Sequence, residues 1–247
     1  MLMTLYTSPS VPATRVNLFF AWLVHLYTAS GALCAFFGTL AVFAGRYRDA
    51  LLWMAAATAI DATDGLLARA ARVKERLPGV DGARLDDVVD YLTFVFLPVL
   101  FLYRSGAVPD VWGGVVLSVV LLSSAYGFAA SDAKTSDHFF TGFPSYWNIV
   151  ALYIHVAALP PIWNAFVLVI LSALVFWRIG YVYPSRTPTL RTLTIAFGLC
   201  WAVNVVVMIL ALPHVPRALF AASFAFPLYY MVLSFVLNYR RTLPARL

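Results

Sequence analysis

At 247 residues, with 62% hydrophobic and 11% charged residues, the chain lies far outside the soluble globular range, where about a quarter of residues are charged. Its formal net charge of +6 and mean hydropathy of +0.84 come with basic residues spread among the predicted loops, which argues against a nucleic-acid partner. Cys34 and Cys200 stand far apart in apolar stretches, without the spacing of a disulfide framework or a zinc site.

A span of about 20 apolar residues crosses about 30 Å of hydrocarbon, and the chain order predicts eight of them. Residues 1–21 carry Arg15 beside Leu18, Phe19, Phe20 and Trp22 and read as an interfacial segment. They lack a short apolar run followed by a small-residue cleavage site, so the first apolar stretch is expected to stay in the mature protein. Spans follow at about 22–44, 50–70, 86–104 and 108–131. A polar and aromatic loop then leads to spans at 147–159 and, past the turn at Pro160 and Pro161, at 162–181, 192–212 and 217–238. The expected fold is therefore all-α, a single polytopic membrane-embedded unit over 1–247 with about eight transmembrane helices. If both termini are cytoplasmic, thirteen of the seventeen basic residues fall on that side. The net positive charge then reads as topology and attraction to anionic headgroups.

Residues 61–90 hold most of the chain's eleven acids between these apolar stretches. Asp61 follows Leu51 by ten residues, which puts it about 15 Å along the second span. A charge at that depth costs roughly 2.5–3.5 kcal/mol unless water or a cation compensates it. Asp61, Asp64, Gly65 and Ala68 fall at i, i+3, i+4 and i+7 and share one helix face; Asp86 and Asp90, four apart, share another. Two antiparallel helices joined by a short loop bring four carboxylates around one volume. An oxygen-only donor set selects hard divalent cations, Mn²⁺ or Mg²⁺. Gly65 and Ala68 leave room for a ligand, Arg69 suits a phosphate, and Gly82 opens space at the start of the third span.

The order Asp61, Asp64, Gly65, Ala68, Arg69, Gly82, Asp86, Asp90 resembles the signature of the CDP-alcohol phosphatidyltransferase family. Twelve residues separate Arg69 from Gly82, a longer loop than is usual there. The resemblance implies transfer of a phosphatidyl group from CDP-diacylglycerol to an alcohol, with CMP released. It further implies that Asp61, Asp64 and Asp86 coordinate metal, with Asp90 at a second metal position or acting as base, for two ions in all. Gly65, Ala68, Arg69 and Gly82 would take the nucleotide and its phosphates. The resemblance also implies a bacterial inner-membrane enzyme, open to the cytoplasm and homodimeric.

The acceptor is read in two ways. The segments HLYTASGALCAFF, VKERLP, DDVVDYLTFVFLP and FFTGFPSYWN resemble bacterial members of that family that use choline. Independently, a quaternary ammonium cannot donate a hydrogen bond and is best held by aromatic faces. Phe139, Phe140, Phe143, Tyr146 and Trp147 in the loop after the fourth span offer such faces, as do Tyr91 and Tyr126 at helix ends. Interfaces are rich in aromatic residues in any membrane protein, so the same loop also reads as a headgroup-level belt. His25 is expected to be a hydrogen-bonded packing residue or a cavity wall. Serine and glycerol 3-phosphate stay open as alternative acceptors. An ion-coupled transporter would call for internal repeats or interrupted helices, which are not evident in the sequence.

Overall fold

The computed structural model describes residues 15–130, 139–183 and 187–242. Residues 1–14, most of the expected interfacial segment, lie outside them. Residues 15–21 run without a break into the first expected span, giving a single helix α1 (Arg15–Phe43). A tight turn with Gly45 at φ +71° leads into α2 (Tyr47–Ala70), which packs back along α1. The short α3 (Val73–Arg76) lies within the long loop, and Asp81 then caps α4 (Gly82–Asp90), its carboxylate accepting from the Ala83 and Arg84 amides at 3.1 and 3.3 Å.

From α4 the chain continues through a π-helical turn, Tyr91–Phe96, into α5 (Leu97–Arg104), so residues 82–104 form one helical run. Pro98 explains the wide turn. It has no N–H to give to the carbonyl of Phe94, and its ring would strike that carbonyl in a regular helix. An extra residue per turn relieves both, and such insertions recur beside functional sites. Here the insertion starts directly after Asp90.

The remaining helices are α6 (Gly113–Ala129), α7 (Trp147–Ala157), α8 (Pro161–Val175), α9 (Arg191–Leu210), α10 (Arg217–Ser223) and α11 (Ala225–Thr242). Pro161 opens α8, where a missing N–H costs nothing. Pro227 breaks the last span into α10 and α11: it cannot donate to the Ser223 carbonyl, which instead accepts from the Tyr153 hydroxyl at 2.8 Å. Apart from this helical framework the described residues hold one antiparallel ribbon, β1 (Phe139–Thr141) with β2 (Gly180–Val182), in the register Phe139 to Val182 and Thr141 to Gly180. It shortens the sixth expected span. α8 stops at Val175 because the Leu174 carbonyl turns to accept from Phe143, and Gly180 and Tyr181 enter the ribbon.

Among the described residues, four stretches are long and apolar enough to cross a membrane: α1, α2, α9 and Arg217–Arg241; α6, α7 and α8 are shorter apolar helices. Burial is inverted relative to a soluble protein. α1 turns Ala21, Gly31, Cys34, Ala35, Gly38 and Ala41 inward and leaves Phe19, Trp22, Phe36 and Phe43 more than half exposed. Small residues let membrane helices approach, and large apolar ones meet lipid. A Cβ on Gly31 would lie 2.5 Å from Val89 Cγ1, and one on Gly38 2.6 Å from Leu97 Cδ2, so α1 runs hard against the 82–104 helix. The chain is a helical membrane protein whose core of Val42, Leu51, Val95, Phe101, Trp147 and Leu168 lies between these helices.

Candidate active site

The close approach of α1 and α2 to the start of the 82–104 helix creates the site. Asp61, Asp86 and Asp90 each contribute a carboxylate oxygen to a group whose members lie within 4.8 Å of one another, all three side chains half-buried. Among the described residues this is the one cluster of three such ligands. Asp64 takes a different position. It is 6% exposed and lines the same pocket, but its Oδ2 accepts from the Thr28 hydroxyl at 2.8 Å. The helix-face argument from spacing brings all four acids to one pocket; three of them converge as a ligand set and the fourth is tied to α1.

Three carboxylates at that separation repel unless a cation sits among them, and their oxygen-only donor set fits a hard divalent ion. A Cβ on Gly65 would meet Arg69 Nη1 at 3.2 Å, so the guanidinium folds back over the glycine, one turn above Asp61. A Cβ on Gly82 would meet His25 Cε1 at 3.1 Å, so Gly82 is where the third span touches α1. His25 itself is 6% exposed, edge-on to Trp22 at 6.1 Å, with Nε2 buried and lacking a hydrogen-bond partner. It packs against Gly82 outside the residues that line the pocket, without a hydrogen bond at that nitrogen. Ala68 is half-buried on the same face of α2.

Of the seven aromatic residues expected to offer faces to the acceptor, Tyr146 is the one on which Asp61 and Asp90 are seen to act. Tyr146 precedes α7. Its neighbours Ser145 and Trp147 are both fastened to Ser124 of α6, the indole Nε1 donating at 2.7 Å and the Ser145 hydroxyl at 3.4 Å. Ser145 adopts φ +55° to make that turn. The phenol between these two anchors is pushed well above its ordinary pKa, by burial first and then by the charge of Asp61, with smaller additions from Tyr183 and Asp90 and an offsetting hydrogen bond with Tyr230. Trp147 is fully buried with its ring against Phe143 and has no face left for a ligand. Tyr91 spends its hydroxyl on the Leu121 carbonyl at 3.0 Å and sets its ring against Phe128. Tyr126 is 58% exposed and packs on Phe176. The side chain of Phe140 lies outside the described part. Sequence reasoning missed Thr28 and Tyr230: a threonine in an apolar helix and one of thirteen tyrosines carry no motif that would single them out.

Known proteins resemble the chain over most of its length. It is 37% identical to a protein of Pseudomonas aeruginosa named phosphatidylcholine synthase, covering 88% of this chain and 92% of that one. It is also 37% identical to the phosphatidylcholine synthase of Legionella pneumophila, covering 94% of each chain. The chain belongs to the phosphatidylcholine synthase family. A third phosphatidylcholine synthase, from Rhizobium meliloti, is 35% identical over 88% of this chain and 90% of its own length. No protein-family model matches the chain. Membership makes the protein an enzyme, and in this phosphatidylcholine synthase family member the only acids gathered at a half-buried helix junction, among the described residues, are those just described.

Proposed function

We propose that the enzyme transfers the phosphatidyl group of CDP-diacylglycerol to choline, giving phosphatidylcholine and CMP. The observation that carries this reading is the convergence of Asp61, Asp86 and Asp90 within 4.8 Å, beside an arginine folded over a glycine. Phosphoryl transfer asks a protein mainly for positioning and charge neutralisation, and both are on hand here.

In the proposed reaction the choline oxygen attacks the phosphorus that bears the diacylglycerol. A new P–O bond forms, the P–O bond to CMP breaks, and CMP leaves with its electron pair. Asp90, the last acid before the π turn, takes the hydroxyl proton. Arg69, folded over Gly65, takes the pyrophosphate, with Ala68 on the same helix face, and Gly82 sets the start of the third span against His25 at the nucleotide end of the site. Asp61, Asp64, Asp86 and Asp90 would hold Mn²⁺ or Mg²⁺, one ion or two, which supplies charge stabilisation at the attacking and leaving oxygens. Tyr146, on which Asp61 and Asp90 act, is assigned to the ammonium group of choline.

The same reading includes eight crossings with both termini and the site on the cytoplasmic side of the bacterial inner membrane, supported by the bias of basic residues. A homodimer is part of the proposal on resemblance alone.

The test is CMP release by purified protein in detergent with CDP-diacylglycerol and Mn²⁺, with and without choline. Choline-dependent release abolished by EDTA is the expected result. Release driven instead by serine or glycerol 3-phosphate overturns the acceptor, and no release with any alcohol overturns the transferase reading.

A further inference from the structure

Tyr146 is not alone beside the acids. Its hydroxyl is hydrogen-bonded to that of Tyr230, which comes from α11 at the opposite end of the chain. Tyr183, directly after β2, is close enough to act on the same phenol. The β1–β2 ribbon makes this meeting possible. Val182 N–H donates to Ser234 Oγ at 3.0 Å, Gly180 N–H to Asn238 Oδ1 at 2.9 Å, and the Tyr230 hydroxyl to the Val182 carbonyl at 3.0 Å, so β2 is laced along one face of α11. Tyr181 is fully buried beneath and stacks on Tyr230 with ring centroids 6.4 Å apart and planes at 13°. It fixes the Tyr230 ring from behind. Tyr146, Tyr183 and Tyr230 are each half-buried and so keep part of their surface open.

We infer that Tyr146, Tyr183 and Tyr230 form the subsite for the quaternary ammonium group of the acceptor, with Tyr230 and Tyr183 as specificity-determining residues supplied by the C-terminal third of the chain. The inference rests on the proposed transfer to choline and adds to it where the cation is held. A trimethylammonium group has no N–H to donate, and its charge is spread over methyl surfaces. Partly desolvated aromatic faces attract it, most strongly where water is scarce. Asp61 and Asp90 both act on the Tyr146 phenol, which places the rings beside the acids. The hydroxyl-to-hydroxyl contact of Tyr146 and Tyr230 gives the subsite a fixed shape and ties it to the acids that receive the other end of the same small molecule.

The experiment compares Michaelis constants for choline and for CDP-diacylglycerol in wild type, Tyr230→Leu, Tyr230→Phe and Tyr183→Leu. Choline-dependent turnover by the wild type stands as the separate test of the transfer reaction; its absence overturns that reading before any variant is made. Given it, Tyr230→Leu is expected to raise the choline KM by about 10-fold, leaving the donor KM within about 2-fold, and Tyr230→Phe to keep the choline KM within about 3-fold because the ring face survives. Tyr183→Leu, at a ribbon end and outside the helices, is expected to act in the same direction if Tyr230→Leu fails to fold. An unchanged choline KM in the leucine variants, or donor and choline KM rising together, overturns the inference.

Discussion

The Thr28 hydroxyl of α1 donates to Asp64 Oδ2 of α2 at 2.8 Å, in a place where both side chains are more than nine-tenths buried. A carboxylate buried that deeply needs its partner, and a hydrogen bond to a charged group contributes about 1.5–3 kcal/mol. Thr28→Val keeps the shape and deletes the donor. It is expected to cut kcat by about tenfold and to raise the Mn²⁺ concentration for half-maximal activity, while Thr28→Ser restores both. A metal titration of the three proteins reads this directly.

Asp90 is the last residue before the π turn, and its proposed task is to receive the acceptor proton. Asp90→Asn should lower kcat by about 10²–10⁴-fold, the range of general base catalysis, while still binding CDP-diacylglycerol. Steady-state kinetics paired with a donor-binding measurement checks it. Normal binding together with normal turnover would remove the assignment.

The two glycines of α1 that meet the third span tolerate no Cβ. Gly31→Ala and Gly38→Ala, facing Val89 and Leu97 at 2.5 and 2.6 Å, are expected to destabilise by about 1–3 kcal/mol through overpacking. Gly114→Ala, helical and in open space, is expected to be neutral or slightly stabilising. Thermal unfolding in one detergent ranks the three.

Burial, and secondarily the charge of Asp61, holds the Tyr146 phenol above its ordinary value of 10.0. The unfolded chain therefore releases this proton at a lower pH than the folded protein does. Stability from Tyr146 is fully present below about pH 10 and is lost as pH rises through the folded pKa. Tyr146→Phe should unfold with a flatter dependence above pH 10 than the wild type, whereas the two should run parallel between pH 7 and 9.

Much of the site was legible along the chain because helical periodicity is local. The spacings from Asp61 to Ala68 and from Asp86 to Asp90 put those residues on two faces, and a charge bias beside apolar stretches made the faces functional. Where the reading of the aromatic residues missed, the cause lies in partners far off in sequence. Trp147 looked available to a ligand until its indole was found on Ser124. Tyr126 and Tyr91 looked equivalent to Tyr146, and only the anchors on either side of Tyr146 separate them.

By itself the sequence determined the class of the protein, its helical spans to within several residues, and the acids that meet at the start of the third. Hydropathy and a 3.6-residue period depend only on near neighbours. The tertiary structure decided which faces touch. The small-residue face of α1 lets the third span come within reach of Thr28 and His25, which separates Asp64 from the other three acids. A six-residue ribbon, with no apolar period of its own to announce it, brings α11 back across the molecule and sets Tyr230 beside Tyr146. Contacts between segments so distant are fixed by the packing of the whole bundle, and no local pattern encodes them.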